Sequence, residues 1–255
     1  MTTTRRFLRY LPVLGTIAVW QLLSSLGVFP ENRLPSPLQI MEGFAELLSH
    51  GLPPGFGLIG HCLASLKRVL CGVVAAALVA LPFGVVMGYS ARMRDYLTPF
   101  VEILRPIPPL AWVPIAILWF GIGDQSASFI IFLGAFFPIL LNTVEGVLSI
   151  NRRLIESSII LGATRTDLFR KVLFPGALPS IITGVRISLG IGWMTLVAAE
   201  FTGVRSGYGL GYMIMTARDI QRPDQIIAGM AVIGLIGYAM DLFIRTAEDR
   251  LLRWR

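Results

Sequence analysis

Few residues in this chain have the types and spacing that chemistry needs. The two histidines, His50 and His61, are too few for a typical metal site, and no metal ligand set is expected. Cys62 and Cys71 stand nine residues apart, nearly opposite on a helix of about 3.6 residues per turn, and read as small apolar residues. No G-x-x-x-x-G-K-[ST] loop to cradle phosphate occurs, nor H-E-x-x-H, nor G-x-S-x-G, so no catalytic residue is assigned. Gly207, Gly209 and Gly211 superficially resemble a nucleotide loop, but no βαβ pattern surrounds them. What remains is Arg105 and Arg186 inside apolar runs, Glu200 at the end of another, and a polar segment from Glu156 to Pro179. A guanidinium in an apolar run is costly and faces protein or water, or snorkels to an edge. Facing a water-filled path, it would suit an anion.

The elements that must position these groups are apolar helices. Of 255 residues, 55% are hydrophobic and 15% charged, with a mean hydropathy of +0.71. A soluble domain of that size needs more polar surface, and the apolar residues come in runs long enough for lipid to be the solvent. Six segments can be drawn, at about 10–29, 61–89, 96–120, 127–148, 179–201 and 225–246. A Pro-rich stretch, 30–60, carries a short amphipathic helix from Pro37 to His50. The net charge of +7 is what positive-inside loops produce, and no aromatic-interleaved basic groove for nucleic acid is present.

Orientation follows from the basic residues. With both termini inside, the cytoplasmic face receives Arg5, Arg6, Arg9, Arg92, Arg94, Arg152, Arg153, Arg165, Arg170, Lys171 and the C-terminal arginines. Only Arg33, Lys67, Arg68, Arg205, Arg218 and Arg222 fall opposite. The basic N-terminus before an apolar run has the shape of a signal peptide, but no small-residue cleavage site follows it, so a retained first span is expected.

The segment ESSIILGATRTDLFRKVLFPGALP, Glu156 to Pro179, then lies on the cytoplasmic side. It reads as a short helix, a left-handed turn at Gly162, and a second short helix capped by Thr164 with Asp167 three residues on. Leu168, Phe169 and Val172 share one face, leaving Arg165, Arg170 and Lys171 to water or a partner. Pro175 and Pro179 are expected to close the segment and start the next span. On composition alone this is a hairpin that merely connects two spans.

The string itself resembles the EAA motif of ABC-importer permeases, with Glu156, Gly162-Ala163, Leu173, Pro175 and Leu178-Pro179 in register. Ser157-Ser158 stand where that motif has two alanines, a small-for-small departure. LRPIPPLAWVPIAILWFGIGD (Leu104–Asp124), GVRISLGIGWMTLVAAEF (Gly184–Phe201) and SGYGLGYMI (Ser206–Ile214) are similar to segments of the nitrate, sulfonate, taurine and bicarbonate branch. The resemblance implies an all-α membrane protein, six transmembrane helices in the type I importer fold with a cytoplasmic coupling helix. It divides as 1–60, an N-terminal span and external amphipathic segment, and 61–255, the permease core with a coupling loop at about 151–178. Coupling to an ATPase would involve Glu156, Gly162, Ala163, Arg165, Asp167 and Phe169. The implied partners are a second copy or a related subunit, two ATPase subunits that bind ATP and Mg, and a periplasmic or lipid-anchored substrate-binding protein. No cofactor is expected in this chain itself.

Pro106, Pro108 and Pro109 remove backbone donors, so the third span is expected to be locally unwound, which at membrane depth survives only inside protein or beside a cavity. Arg105, Pro108, Trp112, Arg186 and Trp193 are the candidate pathway residues. Gly184, Ser188 and Gly192 recur every four residues as a helix-packing stripe. The rival reading is a secondary transporter or channel. It would carry coupling carboxylates inside its spans, whereas the acids here lie almost wholly in loops or at span ends.

Overall fold

The computed structural model describes residues 3–28, 30, 33–201 and 207–251, with no strand among them. In chain order the helices are α1 (Thr3–Ser25), α2 (Pro37–Ser49), α3 (Leu58–Tyr89), α4 (Ala91–Leu104), α5 (Val113–Phe120), α6 (Asp124–Leu148), α7 (Arg152–Ile160), α8 (Arg165–Leu168), α9 (Phe174–Phe201), α10 (Leu210–Asp219) and α11 (Pro223–Leu251). A 3-10 turn, Pro109–Trp112, precedes α5, and a π-helical stretch, Phe169–Leu173, joins α8 to α9. Arg205, Ser206, Arg253 and Arg255 lie outside the described residues, as do the side chains of Arg5, Arg6, Arg9 and Arg165.

Four stretches are long and apolar enough to cross a membrane: 58–89, 124–148, 166–201 and 223–250. The pair α4 and Pro109–Phe120, bent by 82°, makes a fifth if it is one broken span. The break falls at the expected prolines: Pro106, Pro108 and Pro109 cannot donate, and Pro108, directly before Pro109, is extended at ψ 137°, whereas Arg105 still holds helical angles. The sixth expected span corresponds to α1, whose apolar part, Leu14–Ser25, is shorter than the others.

The helix that carries the fifth expected span begins earlier than Pro179. Rather than closing the segment, Pro175 sits at the start of α9 and Pro179 inside it, so the helix runs from Thr166 to Phe201. The π stretch accounts for this. The Phe174 N–H bonds back to the Phe169 carbonyl, and this wider turn makes room for the Pro175 ring, which in a regular helix would crowd the carbonyl four residues earlier.

The chain divides into two compact units. The larger comprises 65–206 and 236–255, and its centre is the pairing of α6 with α9. The Gly184, Ser188 and Gly192 stripe packs there. A Cβ on Gly184 would stand 2.8 Å from the Asn142 Cβ and 3.1 Å from the Pro138 carbonyl. The Ser188 hydroxyl donates to the Ala135 carbonyl (2.8 Å). Gly72, Gly84 and Gly88 of α3 repeat the device against α6, where added Cβ atoms would meet Ile131, Thr143 and Val147 at 2.6–2.7 Å. Between helices already surrounded by lipid, such close approach replaces the hydrophobic effect as the source of association.

The smaller unit comprises 1–64 and 207–235. Its α2 starts with a capping box, Ser36 accepting from the Gln39 N–H and Gln39 from the Ser36 N–H. Arg222 binds Glu46 (2.6 Å) and Asp224 (2.7 Å). His61, at a span edge and fully buried, accepts the Gly209 N–H at Nδ1 (2.9 Å), a structural role at the start of α10.

Candidate functional site

Three groupings of polar or strained residues stand out in the larger unit: the α7–α8 segment, a buried ion cluster, and a cavity beside the broken helix pair. The α7–α8 segment follows local sequence rules closely. Asn151 caps α7 by accepting the Arg153 N–H (3.0 Å). Gly162, at φ +81°, ends it in a Schellman motif: the Ala163 N–H reaches the Ser158 carbonyl and the Gly162 N–H the Ile159 carbonyl, both at 3.0 Å. Thr164 and Asp167 then form a reciprocal cap, with the Asp167 N–H on Thr164 Oγ1 (3.1 Å) and the Thr164 N–H on Asp167 Oδ2 (3.3 Å). Lys171, one turn on, lies 2.7 Å from Asp167. Its hydrogen bond, with that of Thr164, holds the Asp167 carboxyl down at about 2.

One side of this segment is anchored and the other is bare. Leu168 and Leu173 are buried with Val85, Val147, Ala177 and Ile181, and Val172 packs against them. Phe169 departs from the expected shared face: the π turn shifts the register, leaving it exposed and paired with Phe174, ring centroids 6.2 Å apart. Glu156 points to solvent and pairs with Arg152 (2.9 Å). Ile160 and Leu161, directly before Gly162, are 85% and 86% exposed. Nothing lies within 4 Å of where a Cβ on Gly162 would stand.

The ion cluster was only partly legible. Arg68, assigned above to the water-facing outer side, is 1% exposed within α3. Its guanidinium reaches Glu200 Oε1 (2.5 Å) and Asp124 Oδ1 (2.6 Å), and Ser65 donates to the same Glu200 oxygen (2.8 Å). Glu200 therefore pairs with a buried arginine of α3. The available signal was spacing: His61, Ser65 and Arg68 recur at helical intervals at the start of an apolar run, and all three are buried.

The candidate pathway residues split into two places. A cavity of about 870 Å³ is lined by Arg105, Pro109 and Trp112 of the broken pair, by Gly134, Asn142 and Glu145 of α6, and by Ile187 and Ile191 of α9. Arg105 is exposed there and makes no ion pair among the described residues. Pro108 precedes the 3-10 turn that forms this wall. Arg186 and Trp193 instead face a pocket of about 70 Å³ against α11. Arg186 binds Asp241 (2.9 Å) and Glu248 (3.7 Å), while Trp193 packs over Gly237, where an added Cβ would stand 3.1 Å from Nε1.

The chain is similar to known proteins in sequence and in fold. Residues 80–254 match the family described as binding-protein-dependent transport system inner membrane component. The chain belongs to this family. A Methanocaldococcus jannaschii protein named as an ABC transporter permease is 44% identical over 248 residues, covering 96% of this chain and 90% of its own. The taurine transport system permease protein of Escherichia coli is 39% identical, covering 94% and 88%. Permeases named for aliphatic sulfonates, nitrate and bicarbonate share 36–39% identity, which places this permease in that branch. Among solved structures, the MetNI methionine ABC transporter in inward-facing form aligns with a TM-score of 0.65 at 25% identity, over 77% of this chain and 94% of that one. The permease thus has the importer fold expected from its motifs and is a membrane component of a transport system.

Proposed function

We infer that this permease forms the translocation path of an importer for a small anion of the taurine, alkanesulfonate, nitrate or bicarbonate class, driven by separate ATPase subunits that bind ATP and Mg. The observation that carries the coupling role is the bare Ile160–Leu161 pair beside Gly162, the most exposed apolar residues of a firmly anchored segment. An isoleucine and a leucine held out on a capped turn are what a partner's groove would cover. Glu156, Ala163, Arg165, Asp167 and Phe169 surround that knob in sequence, and Gly162 leaves space for a partner to approach closely.

In this reading the chain contributes six spans, α1 completing the set, with both termini cytoplasmic, a segment 1–60 outside the core and a core of 61–255. Two copies, or one with a related subunit, enclose the path, and a periplasmic or lipid-anchored binding protein delivers substrate. ATP-driven closure and reopening of the ATPases on the α7–α8 segments would switch the spans between outward- and inward-facing states. Only differential affinity of ATP and substrate for those two states can drive the switch. Arg105, Pro108 and Trp112 are assigned to the path. Arg186 and Trp193 are assigned to holding α9 against α11. The secondary-transporter reading is not favoured, and Glu200 of α9 and Asp241 of α11 are each held by an arginine.

The test is reconstitution of the permease with its ATPase and binding protein in liposomes loaded with ATP. Uptake of one of these anions that requires both partners supports the reading. Uptake driven by an ion gradient without the ATPase would refute it.

A further inference from the structure

We propose that the groove between the end of α3 and the π-helical start of α9 is a binding site for an anionic phospholipid, one acyl chain in the groove and its headgroup on Arg92 and Arg170. The groove measures about 580 Å³, within the usual range of ligand sites. Leu81, Val86, Tyr89, Phe169 and Phe174 are among its lining residues, and no charged side chain is. Two irregularities shape it: Pro82, which removes a donor inside α3, and the wide π turn that leaves Phe169 and Phe174 standing outward. Its floor, Leu168 and Leu173, is buried and packed.

The occupant follows from Tyr89 and from the arginines that stand next to the lining residues in sequence. Tyr89, at the end of α3, is exposed, as tyrosines at the headgroup level are. Arg92 follows it by three residues in the first turn of α4, and Arg170 follows Phe169 directly. Both arginines are exposed, and neither makes an ion pair among the described residues; Lys171 beside them is taken by Asp167. An apolar slot in a lipid-embedded chain, with an exposed arginine three residues after one lining residue and another directly after a second, suits an acyl chain below a phosphate, and such cations favour anionic over zwitterionic headgroups. This requires that the chain span a membrane, not that α7–α8 dock an ATPase.

Native mass spectrometry of the purified complex tests it, after exposure to phosphatidylglycerol or phosphatidylcholine of the same acyl composition. The wild type is expected to retain phosphatidylglycerol in preference. Val86→Trp, which fills the slot, should lose one retained lipid per copy. Arg92→Gln with Arg170→Gln should reduce the headgroup preference by roughly tenfold or more; these exposed sites keep the test available if Val86→Trp fails to fold. Equal retention of the two lipids by the wild type, or unchanged retention by both variants, overturns the proposal. So does protection of Val86→Cys from a lipid-soluble maleimide in delipidated complex, which would place protein over the groove.

Discussion

Arg68 of α3 and Glu200 of α9 meet at 2.5 Å, both withdrawn from solvent, although 132 residues separate them in the chain. Asp124, the first residue of α6, completes the set at 2.6 Å and stays partly exposed at a helix N-terminus, where negative charge is favoured. One guanidinium therefore ties together three of the helices of the larger unit. Removing one member of a buried pair leaves an uncompensated charge, whereas removing both often costs little. Arg68→Met should lower stability by about 3–5 kcal/mol, and Arg68→Met with Glu200→Gln should recover much of that loss. Thermal unfolding of the detergent-solubilised chain checks this; equal loss in both variants would deny the pair its role.

The cap between Thr164 and Asp167 titrates. Because the folded carboxyl is held at about 2 by Lys171 and Thr164, below the ordinary value of roughly 3.9, its contribution is fully present above about pH 4. It is lost as pH falls through about 2. Carbon-13 NMR of the Asp167 carboxyl should find its midpoint near 2 in the wild type and higher in Lys171→Ala. Thr164→Ala should also speed tryptic cleavage after Arg165 at neutral pH, since the start of α8 would fray.

These local features were the legible part of the site. The Gly162 turn, the Thr164–Asp167 cap and the proline break at 106–109 each depend on residues within four positions of one another, so spacing alone fixes them. The Arg68–Asp124–Glu200 cluster was not legible in full, because nothing local says which of three distant helices bring their charges together. The π turn escaped for a related reason. Pro175 signals a stop, and only the packing of Leu168, Val172 and Leu173 against α3, α6 and α9 carries the helix past it. The division of the pathway arginines likewise needed α11, whose Asp241 and Glu248 claim Arg186.

That division has a functional consequence. Arg105→Gln should weaken anion uptake, seen as a raised KM in the reconstituted system, while leaving the melting temperature near that of the wild type. Arg186→Gln should do the reverse, lowering thermal stability by freeing Asp241 and Glu248, with a smaller change in KM. Uptake and thermal melts on the same two preparations separate the cases.

Close packing of α3 on α6 leaves no room at Gly84, where a Cβ would stand 2.6 Å from that of Thr143. Gly84→Leu should destabilise by about 1–3 kcal/mol and reduce the yield of folded chain in size-exclusion chromatography. Gly190→Leu should be tolerated, because nothing lies within 4 Å of its Cβ position.

The central claim is that energy enters through the turn at Gly162. Co-purification of the permease with its ATPase, together with substrate-stimulated ATP hydrolysis, tests it most directly. Gly162→Arg is compared with Gly162→Asn, which keeps a residue tolerant of positive φ without the bulk. The expected result is loss of both complex and stimulated hydrolysis in Gly162→Arg, with both largely retained in Gly162→Asn. A Gly162→Arg permease that still binds its ATPase and stimulates hydrolysis as the wild type does would contradict the account.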